Sequence, residues 1–393
     1  MWLIINKRPW LNNGPVVTVG LLSANGLAEA GEIVEFVTDG HSLDWRADLP
    51  VHYGLAPHPN LTVKLIPRLQ FGNFSSSLSL YLYPFIRLVR ERYSRGSTTI
   101  FTRDSSFLPF LVLLKFLFGA KIFLEVHHAY ANPRPFLAEG FVLTAQEKKN
   151  SVMERRLCRY LNGLICITPP QAELYREVFP DLPLIVLPLG VRVHPSLPPE
   201  EKFLKRTLVY VGEMTKRKGL ETLLRAMSLV DPSIRLLLIG WKEKYRTWLE
   251  QQMKDLGIAG SVRVAGSVSP AEVARLCETE ASIGVLPLED NFYSRALTSP
   301  AKLGDYQGNG LPVIASRLPT TEYLLNENKD SLFYTPGDVQ GLARAITSLF
   351  SDKERFIRLA KGSAQSASLR SWKDRSHRLI EFAKSGHVDV SSE

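Results

Sequence analysis

Residues 208–239 read LVYVGEMTKRKGLETLLRAMSLVDPSIRLLLI. Short runs rich in Val, Leu and Ile open and close this stretch, at 208–211 and 234–239. Between them, apolar residues recur at the spacing of one helix face, at Leu220, Leu223, Leu224, Met227 and Val230. A strand, a helix and a strand in this order predict a parallel βαβ unit, the building block of an α/β fold.

The same alternation of short strands and helical segments extends through the rest of the chain. In the first half, strands are predicted at 2–5, 33–37, 61–65, 98–101, 121–126, 164–167 and 184–187. In the second half, further strands are predicted at 262–265, 282–286 and 311–315. The Pro-rich stretch 195–201 is typical of a linker. We therefore predict two doubly wound α/β domains, residues 1–190 and 200–365, with a ligand cleft between them at the carboxyl ends of the strands.

The composition indicates a globular chain with an anionic partner. Of the 393 residues, 45% are hydrophobic, and 48 Lys and Arg against 39 Asp and Glu give a net charge of +9. This balance excludes disorder for most of the chain. The positive charge favours a nucleotide or a phospholipid surface as partner. A nucleic-acid partner is not expected, because the charge is modest for this length and no known binding motif is present.

The cysteine pattern predicts a cytoplasmic protein without structural zinc. Cys158, Cys166 and Cys277 have neither metal-ligand spacing nor the even number of a disulfide framework. The opening residues MWLIINKRP place the apolar run before the charges, the reverse of a secretory leader, so export is not expected. The longest apolar run, 107–120, contains Lys115 and falls short of the roughly 20 residues that span a bilayer.

Lysines stand at two predicted helix N-termini, where cations are disfavoured. Lys216, Arg217 and Lys218 lead into the helix that begins near Gly219. At Ser299-Pro300-Ala301-Lys302, Ser299 is a predicted N-cap and Lys302 falls in the first turn. The helix dipole is positive at these ends. Both sites together favour a bound diphosphate; the alternative is solvated surface charge, with Lys302 paired to Asp305 one turn on.

A third helix start provides a control. Ser269-Pro270-Ala271-Glu272 has the same serine and proline but carries a glutamate at the third helical position. This pattern predicts an ordinary capping box, in which the helix end satisfies itself.

The order and spacing of several motifs give a resemblance that covers nearly the whole chain. In the second half they are the basic stretch 212–224, LLLIG (236–240), VRVAGSV (262–268), SPAKLGDY (299–306) and GLPVIAS (310–316). In the first half they are Gly14, FTRD (101–104), EVH (125–127), ERRL (154–157), ICIT (165–168) and VLPLGV (186–191). This set resembles the retaining glycosyltransferases of family 4, in a bacterial variant with Ser-Pro-x-Lys in place of the first acid of the E-x7-E pattern. The resemblance implies the GT-B fold, two Rossmann-like doubly wound domains facing a central cleft, with residues 366–393 as a helix that crosses back to the first domain and a polar tail.

The resemblance also implies donor contacts. Gly212 lies in the phosphate turn, and Lys218 matches the lysine that grips the donor diphosphate. The second phosphate contact matches Thr298, Ser299 and Lys302. Asp305 takes the place of the acid that binds the ribose hydroxyls. Backbone near Gly266 and Val268 is expected to meet the base.

Two positions depart from the family pattern. An arginine often follows the glycine of the phosphate turn, and here that residue is Glu213; Lys216 or Arg217 would then supply the missing charge. The first acid of E-x7-E falls at Leu297. In the family this acid contacts the transferred sugar, and no residue of this chain is therefore predicted to make that contact.

The implied reaction moves a hexose-type sugar from a nucleotide-diphosphate sugar to an acceptor hydroxyl, with retention, in glycan, polysaccharide or glycolipid biosynthesis. Its main physical task is to stabilise negative charge on the departing diphosphate, which lysines and helix N-termini do without a metal or other cofactor. His127 follows a predicted strand and matches the family histidine that contacts the donor sugar. The alternative is a structural role, which is common for a histidine at the end of a strand. Gly14 and Arg103 are candidates for an acceptor or phosphate loop, the alternative for Arg103 being an ion pair with Asp104 or Glu91.

A carbohydrate or lipid-linked acceptor is expected, and one region suits an anionic membrane at the inner face. Aromatic and basic residues are mixed over one helical segment, at Tyr81, Tyr83, Phe85, Arg87, Arg90, Arg92, Tyr93 and Arg95. The segment 107–118 is strongly apolar. Together they predict a peripheral membrane surface, or else two ordinary helices with a solvated basic face.

Two other functions share the predicted architecture. A nucleotide-sugar 2-epimerase would release a rearranged nucleotide sugar without an acceptor. A scaffold descended from a transferase would bind the nucleotide without turnover, as Glu213 and Leu297 would allow. A glycosidase is not expected, because no paired acids stand on the predicted loops.

Overall fold

The computed structural model describes residues 1–71, 74–94, 98–214, 218–240 and 243–386. The chain forms two compact units. The first comprises Met1–Gly190, Ala296–Ser299 and the chain from Trp372 onward, and the second comprises Val191–Arg295 and Pro300–Ser371.

The first unit is built on a parallel seven-stranded sheet. Its strands and a two-stranded hairpin, β4 and β5, are β1 (Trp2–Pro9), β2 (Val34–Asp39), β3 (Leu61–Ile66), β4 (Leu69–Phe71), β5 (Phe74–Ser76), β6 (Thr99–Thr102), β7 (Lys121–Val126), β8 (Gly163–Cys166) and β9 (Leu184–Val186). The sheet order is β3-β2-β1-β6-β7-β8-β9. All seven predicted strands of this half are present, whereas the short hairpin was not predicted.

Both faces of this sheet are buried. Along β1, Trp2 and Ile4 pack into one apolar cluster, and Leu3 and Ile5 pack into another on the opposite face. Continuous apolar strands are what a parallel sheet covered by helices on both sides requires. The helices of this part of the chain are α1 (Pro15–Glu29), α2 (Trp45–Asp48), α3 (Leu78–Ser94), α4 (Leu108–Phe118), α5 (Arg134–Ala138), α6 (Ala145–Leu157) and α7 (Pro169–Arg176).

The second unit is built on a parallel six-stranded sheet in the order β12-β11-β10-β13-β14-β15. Its strands are β10 (Thr207–Val211), β11 (Arg235–Ile239), β12 (Val262–Val264), β13 (Ile283–Leu286), β14 (Val313–Ser316) and β15 (Ser331–Tyr334). The helices are α8 (Pro199–Leu204), α9 (Leu220–Met227), α10 (Arg246–Asp255), α11 (Pro270–Glu280), α12 (Phe292–Ala296), α13 (Ala301–Gly308), α14 (Pro319–Leu324), α15 (Val339–Ser351) and α16 (Lys353–Ser368). The predicted βαβ unit is confirmed, since β10 and β11 pair in parallel; only β15 was missed.

The last described helix, α17 (Trp372–Ser385), packs on α1 in the first unit. The approach is close, because a Cβ built on Gly26 would lie 2.5 Å from the carbonyl oxygen of Trp372. Phe382 on the same helix stacks edge-on against Phe123 of β7, with ring centroids 5.7 Å apart. This packing brings α17 beside the strands that carry the first group of candidate residues.

Candidate functional site

The turn after β10 is shaped by Gly212. Its φ of 129° lies in the left-handed region, and its N–H donates to the carbonyl of Ile239 at 2.8 Å. A Cβ at this position would lie 3.2 Å from Lys302 Nζ. Glycine therefore gives the turn its conformation and leaves room for the lysine that arrives from α13.

Lys302 is the most unusual charged residue in the second unit. Its Nζ is buried and has no hydrogen-bond partner among the described residues. It lies 3.7 Å from the centroid of the Tyr210 ring. Burial and the nearby charge of Lys218 hold the pKa of Lys302 well below its usual value, against a smaller opposing effect of Asp305. The site thus contains a desolvated amine whose donors are unused.

Lys218 lies on the loop that enters α9. Its Nζ is 5.3 Å from the centroid of the Tyr293 ring. The next residue, Gly219, has a φ of 69°, and a Cβ there would lie only 1.4 Å from the carbonyl oxygen of Pro287. The backbone of this loop therefore packs closely against Pro287, which follows β13. Lys216 and Arg217, the candidates for replacing the charge missing at Glu213, lie outside the described residues.

The start of α13 differs from the prediction at Ser299. The N-cap is Pro300, without a side-chain cap, and the helix begins at Ala301. The Ser299 hydroxyl instead accepts a hydrogen bond from the Leu189 N–H at 3.2 Å in the first unit. The prediction of Ser299 as N-cap was therefore wrong, because its hydroxyl accepts from the distant Leu189 N–H and not from an N–H of α13. Lys302 does fall in the first turn, as predicted.

The control helix α11 is capped, but not by a complete capping box. Ser269 accepts from the Glu272 N–H at 3.3 Å, as predicted. The Glu272 carboxylate binds Arg275 instead, with both oxygens at 2.6 Å. The α11 start thus has a side-chain cap and an acidic first turn, whereas the α13 start has neither.

Asp305 lies on α13 one turn after Lys302. Burial raises the pKa of its carboxyl to about 7, with Arg192 and Lys302 acting in the opposite direction. The predicted alternative of a direct Lys302–Asp305 pair does not account for the lysine, whose Nζ makes no hydrogen bond among the described residues. At neutral pH this carboxyl can accept or donate a hydrogen bond.

The remaining donor candidates are fixed mainly through backbone. Gly266 follows β12, and its carbonyl accepts from the Gly240 N–H at 2.6 Å. Val268 is partly buried against an apolar cluster of this unit. Thr298 is buried and belongs to the first unit with Ser299. Leu297 is also buried, at 4% exposure, so the position of the missing acid is shielded from solvent.

The first unit brings His127 and Arg103 together around Glu125. Glu125 is fully buried in β7, and its Oε1 lies 2.7 Å from His127 Nε2 and 2.9 Å from Arg103 Nε. Arg103 therefore pairs with Glu125 and not with Asp104; the side chain of Glu91, the other partner that its surface alternative named, lies outside the described residues. Arg103 Nη1 also donates to the Val16 carbonyl at 3.1 Å, next to the Gly14 loop.

The fourth member of this cluster, Arg375, was not predicted. It comes from α17, its side chain is 4% exposed, and its Nη2 lies 2.5 Å from Glu125 Oε2. Although burial alone would raise it, Arg375 and Arg103 bring the pKa of Glu125 well below its usual range. No local pattern points to this pair, since Glu125 and Arg375 stand 250 positions apart in the chain.

His127 is held as a neutral imidazole. Burial and Arg103 lower its pKa to about 4, against the raising effect of Glu125. The second histidine, His128, stacks on Tyr130 with centroids 4.7 Å apart. Its backbone carbonyl accepts from Gln171 Nε2 at 3.0 Å.

Gly14 is the N-cap of α1, and its N–H donates to Asn12 Oδ1 at 2.7 Å. No side chain caps the helix start. Through Val16, this loop is tied to Arg103. Within the described ranges, no group of three or more His, Cys, Asp or Glu side chains is arranged to hold a metal ion.

One family model matches a part of the chain that falls mainly in the second unit. Residues 205–352 match the family model described as "Glycosyl transferases group 1". D-inositol 3-phosphate glycosyltransferase of Corynebacterium urealyticum is 26% identical over 189 residues, which are 46% of this chain and 43% of that protein. The lipopolysaccharide core biosynthesis glycosyltransferase LpsE of Rhizobium meliloti is 27% identical over 158 residues, 38% of this chain and 41% of its own. The chain thus matches less than half the length of either relative.

Solved structures resemble the chain over nearly its whole length. Sucrose-phosphate synthase from Thermosynechococcus elongatus has a TM-score of 0.70 at 18% identity, covering 98% of both chains. Anabaena Alr3699/HepE, in complex with UDP-glucose, has a TM-score of 0.67 at 14% identity, covering 98% of this chain and 99% of its own. The pneumococcal O-GlcNAc transferase GtfA, in complex with UDP and GlcNAc, has a TM-score of 0.67 at 11% identity and 99% coverage of both. The predicted GT-B fold class, with two parallel-sheet Rossmann-like units, is confirmed.

Proposed function

We propose that this chain is a glycosyltransferase of the family 4 type, which moves a hexose from a nucleotide-diphosphate sugar to an acceptor hydroxyl with retention. The observation that carries the proposal is the buried Lys302 ammonium, which has unused donors and lies beside Lys218. The family match over residues 205–352 covers the same unit. The UDP bound in the Anabaena and pneumococcal structures supports a nucleotide diphosphate as the ligand.

The reaction breaks the bond between the anomeric carbon and the β-phosphate oxygen, and negative charge grows on the departing diphosphate. The desolvated Lys302, with the charge of Lys218 nearby, stabilises that charge strongly, because little water screens it. The uncapped N–H groups at the start of α13 add partial positive charge from the same helix end. The two lysines and the helix end supply this stabilisation without a metal ion.

Other donor contacts follow the order of the chain. Thr298 and Ser299, which precede α13, contact phosphate oxygens, and Asp305 accepts from the ribose hydroxyls. The backbone at Gly266 and Val268 meets the base. Since the Asp305 carboxyl has a pKa of about 7, a ribose hydroxyl donating to it would favour the ionised form.

In the first unit, His127 contacts the transferred sugar and orients it toward the acceptor. Arg103 and the Gly14 loop lie beside it through Val16 and are assigned to the acceptor or phosphate side. With Leu297 buried and apolar, no carboxylate at that position contacts the sugar. The sugar is then oriented mainly by His127 and by its own diphosphate.

The acceptor is a carbohydrate or lipid-linked hydroxyl, and we infer that the first unit binds an anionic membrane at the inner face. Some of the side chains predicted for this membrane surface bind other residues of the first unit instead. Tyr83 donates to Glu35 Oε2 at 2.9 Å, and Arg87 pairs with the same carboxylate at 3.4 Å. Tyr81 donates to the Ser106 carbonyl at 3.3 Å. Those three side chains are therefore not membrane-facing.

The exposed apolar surface lies instead on other positions of α3 and α4. Its members on α3 are Leu82, Phe85 and Ile86, and on α4 Leu113, Phe116 and Leu117. Phe116 is 68% exposed, an unusual state for a phenylalanine. The ring centroids of Phe85 on α3 and Phe118 on α4 lie 5.6 Å apart, so the two helices contact each other here. The side chains of Arg92, Tyr93 and Arg95, also predicted for this surface, lie outside the described residues.

Exposed basic side chains lie on the helix that packs beside α4. Helix α6 packs beside α4, and Phe116 contacts Tyr160, just after α6, with ring centroids 5.7 Å apart. Exposed cations stand on this helix and its following turn, at Lys148, Lys149, Arg156 and Arg159. Apolar side chains beside cations match an interface with anionic lipid. No helix in the described ranges is long and apolar enough to cross the bilayer.

A flotation assay tests the membrane proposal. The protein should float with vesicles containing phosphatidylglycerol and stay behind with vesicles of phosphatidylcholine alone. Phe116→Ser combined with Leu113→Ser should abolish flotation, whereas Leu204→Ser, at a 73% exposed position of α8 in the second unit, should not. No binding to anionic vesicles at low salt, or equal binding by the double variant, would overturn the proposal.

A thermal-shift screen with UDP, GDP, ADP and their sugars tests the donor class. Stabilisation by one base series is expected, and Lys218→Ala should remove it. Product analysis then separates transfer from the other functions of this architecture. Transfer requires an acceptor, a 2-epimerase would convert the nucleotide sugar alone, and a scaffold would bind without turnover.

A further inference from the structure

Arg375 reaches into the centre of the first unit from the last described helix. Its Nε donates to the Pro188 carbonyl at 2.8 Å, and its Nη2 donates to Glu125 Oε2 and, at 3.3 Å, to the Leu187 carbonyl. A guanidinium that satisfies three acceptors in a fixed geometry is held rigidly. The Glu125 carboxylate is therefore fixed in orientation from the side opposite His127.

The two oxygens of Glu125 have different tasks. Oε2 binds Arg375, and Oε1 faces His127 Nε2 at 2.7 Å and Arg103 Nε at 2.9 Å. Since the carboxylate is ionised between two guanidiniums, it can only accept hydrogen bonds. Arg103 Nε also lies 2.8 Å from His127 Nε2, so this nitrogen faces a donor as well as the carboxylate. We assign the proton to Nε2 because an unprotonated Nε2 would face the ionised carboxylate oxygen at 2.7 Å. The other ring nitrogen, Nδ1, is then an acceptor, with Arg103 Nη2 3.5 Å away.

We propose that Glu125 and Arg375 are positioning residues for His127, which hold its imidazole as the neutral Nε2–H tautomer and leave Nδ1 to accept from the reacting groups. The proposal deepens the proposed function, on which the role of His127 rests. It assigns to α17 a part in the chemistry of the first unit, in addition to its packing on α1.

The charges around His127 support one protonation state. Glu125 of β7 and Arg103, which follows β6, contact the ring directly, His128 follows it in the chain, and Arg375 of α17 stands behind Glu125. The cluster formed by Glu125 and the two guanidiniums carries a net positive charge, which disfavours a third cation on the ring. An accepting neutral ring suits contact with a sugar hydroxyl, which donates to it.

Arg375→Lys is the main test variant because it keeps the charge but loses the planar fork. A lysine supplies a point donor and cannot hold Glu125 Oε2 and the Pro188 carbonyl in the same way. Arg378→Lys, on the same helix at a half-buried position, is the matched control. Glu125→Gln serves as a second variant that removes the accepting charge and keeps the shape.

The first readout is independent of activity. In ¹⁵N-histidine-labelled protein, His127 should show a protonated Nε2 and an unprotonated Nδ1 at neutral pH. Arg375→Lys and Glu125→Gln should give a mixture of tautomers, while Arg378→Lys should leave the spectrum unchanged. A protonated Nδ1 in the wild type, or unchanged tautomers in both test variants, would overturn the proposal even if the chain transferred no sugar.

The second readout is a double-mutant cycle on sugar transfer. Arg375→Lys should lower kcat by about ten-fold or more and leave KM for the donor within about two-fold. In a His127→Ala background the same substitution should have almost no further effect on kcat. An equal loss of kcat in both backgrounds would show that Arg375 acts through general stability, and would contradict the proposal. If the wild type bound no nucleotide diphosphate, that result would instead count against the proposed function.

Discussion

Lys302 Nζ lies 3.7 Å from the centroid of the Tyr210 ring and has no hydrogen-bond partner in the described part of the chain. An aromatic face offers a lysine some attraction but satisfies none of its three donors. Tyr210 is itself fixed, because its hydroxyl donates to the Glu213 carbonyl at 2.9 Å. The lysine is therefore kept desolvated on a rigid support, an arrangement that costs stability in the free protein and strengthens binding of an anion.

Lys302→Met should stabilise the free protein while it weakens nucleotide binding. The methionine fills a similar space and removes a buried amine without partners, so the free energy of unfolding should rise by about 1 kcal/mol. For a unit of this size that corresponds to about 2–4 °C in Tm. Differential scanning calorimetry without ligand measures the change. A fall in Tm would mean that the amine is stabilised by a contact that this account lacks.

Binding of a nucleotide diphosphate should take up protons. In the free protein, burial and Lys218 lower the pKa of Lys302, and a bound diphosphate would raise it again. At a pH between its pKa values in the free and the bound protein, the lysine therefore gains a proton on binding. Calorimetry in buffers of different ionisation enthalpy measures the uptake. Lys302→Arg should reduce it, because a guanidinium stays protonated in both states; equal uptake by this variant would contradict the assignment.

Glu154 should make stability fall as pH rises. Burial raises the pKa of its carboxyl to about 7 from a usual value of 4.5, although Tyr175 and the Ala131 N–H donate to it. The folded state thus binds more protons than the unfolded state between these values, and stability is lost as the pH rises through them. Glu154→Gln keeps the accepting oxygen, so its unfolding free energy should gain about 1–3 kcal/mol on the wild type between about pH 5 and about pH 8. Urea unfolding measures this, with exposed Glu173→Gln as the control; no change in the difference with pH would refute the prediction.

Gly219→Ala should be far more damaging than Gly257→Ala. Both glycines have a left-handed backbone, with φ of 69° and 66°. A Cβ at Gly257 meets nothing within 4 Å, whereas at Gly219 it meets the Pro287 carbonyl oxygen at 1.4 Å. The left-handed backbone costs about 1–2 kcal/mol in either variant, and the collision should add about 1–3 kcal/mol at Gly219. Chemical denaturation compares the two; similar losses would mean that the loop carrying Lys218 is not confined as described.

The strands were predictable because they are local and strongly patterned. Runs such as 234–239 are apolar at every position, and a parallel sheet buried on both faces selects that pattern. Lys302 was also predictable, since a cation in the first turn of a helix conflicts with the helix dipole. The conflict is visible within four residues of sequence.

The interactions that sequence reasoning missed are non-local. Ser299 reads as an N-cap, yet its hydroxyl accepts from Leu189, over a hundred positions away in the chain. Arg375 reads as one basic residue among several on an amphipathic helix, and only the packing of α17 on α1 brings it to Glu125. Such pairings depend on how elements meet, which local spacing does not encode.

Isothermal titration of UDP, GDP and ADP against the wild type, Lys302→Met and Lys361→Met tests the central claim most directly. Lys361 is an exposed lysine on α16 of the same unit and serves as the matched control. The wild type and Lys361→Met should bind one of the three nucleotides with equal affinity, and Lys302→Met should lose at least about ten-fold, or about 1.4 kcal/mol. Equal affinity of all three proteins, or no binding of any diphosphate by the wild type, would contradict the account.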